Sequence, residues 1–246
     1  MKKLVAYLTS AFPDKNFTVD LALSLGENGV DSLELGVPFS DPVADGPVIE
    51  KANHLSLENG FTFNDLIDIS KQVAPKIDTL WMGYTNPFYH RGMQNTIELA
   101  SKLGVSGLII PDLPHEETLA YSKELEKNNV SAISFAAPTD SHERIETIVK
   151  DAKKFIYLVA YAGITGSGQS EDLAKTLDSI RQVTSTPVNV GFGVNEKTAK
   201  DKIKGADGVI VGSAFVDILL RDNLTNTQKI DTISSMAKRI KETINS

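Results

Sequence analysis

Two carboxylates in one stretch, residues 31–47 (DSLELGVPFSDPVADGP), are the first candidates for chemistry: Glu34 and Asp45. Read as a strand, SLELGV sets Leu33, Leu35 and Val37 on one face and Ser32, Glu34 and Gly36 on the other. If that second face lines the inside of a closed barrel, Glu34 is desolvated, which disfavours its charged form. Its pKa then rises toward the range where a carboxyl can both give and take a proton. Pro38, Pro42 and Pro47 fix φ at three points, so the loop holds Asp41 and Asp45 with little entropy left to lose. A Glu in a strand more often faces solvent, and an Asp before Gly, as in Asp45-Gly46, is more often a turn former. Spacing alone leaves both readings open.

Other strand ends carry further candidates. Tyr157 lies between Ile156 and Leu158, so it takes the opposite face from those two and could place a phenol inside a barrel; a core tyrosine with a satisfied hydroxyl fits equally. The stretch GITGSG, 163–168, reads either as a closing lid or as a flexible connection. Next come Gly191-Phe192-Gly193 and Val211-Gly212-Ser213-Ala214. Glycines let a backbone approach a ligand closely, and a helix beginning near Ser213 would aim free N–H groups at an anion, so these ends suit a phosphate. Each alone is also compatible with a tight turn.

The elements that would position these residues follow from periodicity. Short apolar or β-branched runs fall at 4–9, 32–37, 79–84, 107–112, 131–137, 155–160, 187–193 and 208–214. Amphipathic segments fall near 16–28, 62–74, 94–103, 115–128, 141–151, 170–183, 195–204 and 227–244. Eight strands alternating with helices over 246 residues predict a single (β/α)8 TIM barrel, one domain over 1–246. Strand starts fall 21 to 32 residues apart except the second and third, which are 47 apart. The extra length, 38–61, is expected to be the loop that carries Asp45, and barrel chemistry is built from loops at the C-terminal ends of strands.

Composition narrows the class. The net charge is −7 with scattered Lys and Arg, which disfavours nucleic acid and anionic membranes, and no apolar run approaches a membrane span. The chain has no Cys, which excludes disulfides and thiolate metal sites and suits a reducing, cytoplasmic setting. His54, His90, His115 and His142 lie in separate segments without i, i+4 pairing, so no metal site is expected.

The 31–47 string resembles the signature of the tryptophan synthase alpha chain family, and the resemblance spans nearly the whole sequence. It includes YTNPF at 84–88, PDLPHEE at 111–117, the Tyr157 strand with GITG after it, GFGV at 191–194 and GSA at 212–214. By that resemblance the reaction is the reversible retro-aldol cleavage of indole-3-glycerol phosphate to indole and glyceraldehyde 3-phosphate. The resemblance implies proton transfer by Glu34, acceptance of the indole N–H by Asp45, and an orienting part for Tyr157. It also implies closure of Thr165 onto Asp45, phosphate binding around Gly166, Gly193, Gly212 and Ser213, and an indole slot at Tyr7, Met82, Ile109 and Phe192. No cofactor is implied in this chain; pyridoxal phosphate is expected on a partner beta chain in an alpha2beta2 tetramer. The sequence departs from the family's usual pattern in starting its first strand almost at residue 1, without the helix that commonly plugs the barrel bottom. It also has Ala11-Phe12-Pro13-Asp14 where Gly-Asp-Pro is common. A Schiff-base aldolase is disfavoured because Lys153 and Lys154 sit before the sixth strand, the wrong end. A phosphosugar isomerase or epimerase, and a non-catalytic barrel kept to bind a partner, are the remaining alternatives.

Overall fold

The computed structural model describes residues 1–160 and 168–246. The first half runs β1 (Lys3–Thr9), α1 (Lys15–Glu27), β2 (Ser32–Gly36), α2 (Pro47–Glu58), α3 (Phe63–Val73), β3 (Asp78–Met82), α4 (Thr85–His90), α5 (Met93–Lys102) and β4 (Val105–Ile109). It continues with α6 (His115–Thr118), α7 (Ser122–Lys127), β5 (Ser131–Ala132), β6 (Ser134–Ala136), α8 (His142–Val149) and β7 (Ile156–Val159). The last third holds α9 (Gly168–Val183), β8 (Val188–Gly191), α10 (Ala199–Lys202), β9 (Gly208–Val211), α11 (Ser213–Leu219) and α12 (Asn226–Ile244).

All these strands pair in parallel in the order β5-β4-β3-β2-β1-β9-β8-β7-β6. The two ends of that order, β5 and β6, are separated by the single residue Ile133, so the sheet closes through the chain itself. The expected fifth strand is therefore broken in two. Its first half pairs with β4 and its second only with β7, and the Ile133 N–H bonds the Leu108 carbonyl across the break at 2.9 Å. Apart from that break, this is the eight-stave parallel barrel that the alternation predicted.

Alternation sorts the side chains into two shells. Leu33, Leu35, Val209, Val211 and Trp81 face the helices in one large core, while Val5, Leu80, Ile109, Ile133, Tyr157 and Ile210 fill the barrel interior. The second expectation to change is the 38–61 loop, half of which is α2. Pro47 stands at its first position behind Gly46 as N-cap, so the proline that suggested a stiff loop instead starts a helix. The expected 115–128 helix is interrupted, with a 3-10 turn over Leu119–Tyr121 between α6 and α7. The six-residue α4 was not anticipated.

The bottom of the barrel is tied by charge. Asp78, the first residue of β3, accepts hydrogen bonds from Ser32 (2.6 Å), Ser106 (2.6 Å) and Lys154 (2.9 Å), linking the starts of β2, β3, β4 and β7. Burial pushes the Asp78 pKa up, but these three partners outweigh it and hold the carboxyl below its ordinary value. Asp31 does the same beside it, accepting from Leu4 N–H (2.8 Å), Lys3 (3.0 Å) and Lys241 of α12 (2.5 Å). Lys154 is thereby committed to the floor, far from the catalytic end. Among the described residues no helix is long and apolar enough to cross a membrane.

Candidate active site

Glu34 is the centre of the site. Its strand is paired on both sides, Tyr7 and Leu80 being its register partners on β1 and β3, and Glu34 is 1 % exposed. Its Oε1 has no hydrogen-bond partner among the described residues, and burial, with a smaller contribution from the charge of Asp45, pushes its pKa up to about 8. At neutral pH it is a protonated acid with an unspent acceptor, placed inside an apolar barrel.

Asp45 reaches the same space from the β2–α2 loop, half-buried. Burial raises its pKa to about 6, hydrogen bonds from Tyr84 and Asn53 hold it down, and the Glu50 charge adds a small upward push. The Asn53 amide approaches its Oδ2 at 3.4 Å, while the Asn53 side-chain carbonyl oxygen is buried with no partner among the described residues. Around neutrality the two carboxyls therefore differ in charge: Asp45 is ionised and Glu34 is not. Environments that separate two neighbouring carboxyls in this way assign them different roles in acid–base work.

Two phenols stand on either side. Tyr7 (4 % exposed) and Tyr157 (9 % exposed) have their hydroxyl pKa raised well above the usual value, by burial first. The next cause is Asp45 for Tyr7 and Glu34 for Tyr157, which places both near the pair. Each ring occupies a notch made by a missing side chain. A Cβ on Gly36 would overlap the Tyr7 hydroxyl, and one on Gly191 would overlap the Tyr157 ring. Tyr157 is stacked on Phe135 (5.1 Å between centroids, 30°) and meets Phe192 edge-on (6.2 Å, 63°). Met82 and Ile109 belong to the same apolar interior cluster as Tyr157, Phe135 and Phe192.

The seventh and eighth staves, β8 and β9, are neighbours, so the turns that follow them lie side by side at the catalytic end. Phe192 and Gly193 both have φ of +70°, left-handed backbone that is costly for a phenylalanine. Gly212 caps α11, whose first internal bonds run from Phe215 and Val216 to the Gly212 carbonyl, leaving the Ser213 and Ala214 N–H groups of its first turn without a partner among the described residues.

The site thus brings together Glu34, Asp45, Tyr157, Tyr7, Met82, Ile109 and Phe192, with Gly193, Gly212 and Ser213 along its rim. Thr165 and Gly166 lie outside the described residues. Sequence reasoning missed Asn53, Tyr84 and Phe135. Phe135 was legible, since alternation through SAISF puts it on the face of Ile133. Asn53 was hidden because its helix was read as loop. A cavity of about 240 Å³ opens beside the β4–β6 break, lined by Pro111, His115, Phe135, Asp140, Arg144 and Val159 among others; neither carboxylate lines it.

Comparison with known proteins agrees along the whole chain. The family model for the tryptophan synthase alpha chain matches residues 1–245. The tryptophan synthase alpha chain of Wolinella succinogenes is 59% identical over 247 residues, covering 100% of this chain and 97% of the relative, and that of Arabidopsis thaliana is 40% identical over 222 residues, covering 88% and 81%. Among solved structures, tryptophan synthase subunit alpha from Campylobacter jejuni superposes with a TM-score of 0.87 at 33% identity, covering 97% of this chain and 95% of that one. An aminoacrylate-bound tryptophan synthase from M. tuberculosis gives 0.88 at 27% identity, covering 99% and 93%. A barrel with an acid and a carboxylate buried at one mouth, matched to one family from its first strand to its last helix, leaves a single assignment: the chain belongs to the tryptophan synthase alpha chain family.

Proposed function

We propose that Glu34 and Asp45 divide the acid–base work of the family's reaction in this chain. The chain is a lyase of tryptophan biosynthesis that cleaves indole-3-glycerol phosphate to indole and glyceraldehyde 3-phosphate. Breaking the bond at indole C3 needs a proton on C3, removal of the side-chain hydroxyl proton, and stabilisation of positive charge developing on the ring nitrogen. Glu34, protonated at neutral pH and with a free acceptor oxygen, gives the first proton and takes the second. Asp45, ionised above about pH 6, accepts the indole N–H and stabilises its growing charge. The indole lies in the slot of Tyr7, Met82, Ile109 and Phe192, with Tyr157 orienting it against Glu34. The phosphate is held by N–H groups at Gly193, Gly212 and Ser213, with the Ser213 hydroxyl, and by Gly166; Thr165 closes onto Asp45.

The observation that carries this reading is the burial of Glu34, whose Oε1 has no hydrogen-bond partner among the described residues, beside an ionisable Asp45. It disfavours a barrel kept only to bind a partner, which would have no use for a costly buried acid. The commitment of Lys154 to the floor argues against a Schiff-base aldolase. The test is cleavage of indole-3-glycerol phosphate by Glu34→Gln and Asp45→Asn. Each loses at least about a hundredfold in kcat while the affinity for a phosphate-bearing product analogue stays within a few-fold. Near wild-type turnover in either variant removes that residue from its role.

The beta chain is the partner, and the pyridoxal phosphate of the complex belongs to it; the expected assembly is alpha2beta2. The connections that follow β2, β3 and β4 each expose a large apolar residue, Val43 in a loop (84 %), Tyr89 in α4 (67 %) and Leu119 in the 3-10 turn (48 %), and together these suit a docking face around the mouth of the site. We take 1–246 as a single domain, since all strands share one sheet, and place its work in the cytoplasm.

A further inference from the structure

Tyr84 follows β3, is 1 % exposed and lies outside the interior cluster that holds Tyr157, Met82, Ile109 and Phe192. Its hydroxyl accepts the Ala44 N–H at 3.0 Å, from the residue immediately before Asp45. An oxygen that accepts there still has its one proton to give, and the Asp45 carboxylate stands within reach of it. Phe39, from the same loop as Asp45, stacks on the Tyr84 ring at 5.4 Å and 29°, so the loop grips the phenol by its face as well as its tip. The backbone beside the phenol is fixed in turn: Thr85 donates to Asp112, after β4, through both its N–H (2.8 Å) and its Oγ1 (3.0 Å).

We propose that Tyr84 is the positioning residue for Asp45, a buried phenol that fixes the height of the loop by accepting from Ala44 and orients the Asp45 carboxylate by donating to it. The proposal rests on the reading of Asp45 as the acceptor of the indole N–H. It adds that the ionised state of Asp45 is favoured from the end of β3, by a group outside that interior cluster. Glu34 from β2, Glu50 from α2, Tyr7 from β1 and Tyr157 from β7 also face Asp45, and all of them are acids. A donated hydrogen bond is therefore what favours the charged carboxylate among them: Asn53 approaches Asp45 Oδ2 at 3.4 Å, and the Tyr84 hydroxyl, anchored at Ala44, is the other donor beside it.

The test is Tyr84→Phe, which keeps the ring and its stacking and removes only the hydroxyl, with Phe39→Leu as a companion that loosens the loop and leaves the hydroxyl. Tyr84→Phe lowers kcat by about ten- to a hundredfold with KM within about threefold, the range of one hydrogen bond to a charged group. It also moves the acidic limb of the kcat profile to higher pH, because the lost donor lets the Asp45 pKa rise. Phe39→Leu lowers kcat without moving that limb. A limb unmoved in Tyr84→Phe, or moved equally in Phe39→Leu, overturns the proposal. Asp45→Asn separates the two levels: if it retains activity, the role of Asp45 fails, and if it is inactive while the Tyr84→Phe limb stays in place, only the role of Tyr84 fails.

Discussion

Glu34→Gln should stabilise the protein while disabling it, and the amount can be worked from the site. In the unfolded chain this carboxyl ionises at its ordinary value of 4.5, whereas in the folded barrel it keeps its proton until about 8. A folded-state pKa raised above the unfolded one means the native state binds the extra proton, so stability is lost as pH rises from 4.5 and stops falling beyond about 8. At pH 7 the unfolded chain has gained about 2.5 pH units of ionisation free energy that the native state forgoes, at about 1.4 kcal/mol each, or about 3 kcal/mol. The unfolded chain sets that figure, since any folded-state pKa above 7 leaves the native carboxyl protonated there. Glutamine has the shape of the protonated acid and does not ionise, so the variant escapes the loss. For a chain of this size about 3 kcal/mol corresponds to roughly 6–12 °C in Tm. Thermal melting of both proteins should show curves that coincide near pH 4 and separate in favour of Glu34→Gln by pH 7, widening to pH 8. A Tm difference that is the same at pH 4 and pH 8 would refute the desolvation of Glu34 on which the chemistry rests.

The pH profile of kcat/KM should be a bell with limbs near 6 and near 8, because Asp45 must be charged and Glu34 must carry a proton; activity that persists undiminished to pH 10 would contradict it. Gly191→Ala should displace the Tyr157 ring, costing about 1–3 kcal/mol in denaturant melts and lowering kcat, whereas a silent variant would show that the notch is not filled as described. Lys154→Ala should lower stability by about 1–2 kcal/mol and leave kcat within twofold; a selective loss of activity would move that lysine from the floor into the chemistry.

How much of this was legible depends on whether the deciding interaction is local. Glu34 could be found because two-residue alternation is a property of the strand itself, and a single acid among Leu33, Leu35 and Val37 declares its face. The barrel followed from counting such strands. The break in the fifth strand could not be read, because SAISFAA alternates without interruption and the change of partner from β4 to β7 is decided by closure of the ring. Helix α2 was hidden by its own start, since Gly46-Pro47 reads as loop unless one asks whether the chain continues as a helix behind it. Tyr84 was quoted as part of a motif with no task attached; its task lies in Ala44 and Asp45, on a different loop. The barrel floor was equally unreadable, its carboxylates being paired with residues from distant strands.

The split fifth stave also says where the wall is weakest. The other neighbouring staves pair over two to five residues without a change of partner, but between β4 and β6 the lacing stops at Ile133, and a cavity lies against the gap. Amide protons of residues 134–137 should therefore exchange with solvent sooner than those of β1, β2 or β3. Slow breathing of the whole cylinder would begin as an unzipping along this seam, with Glu34 on β2 and the loop that carries Asp45 still in place away from the gap.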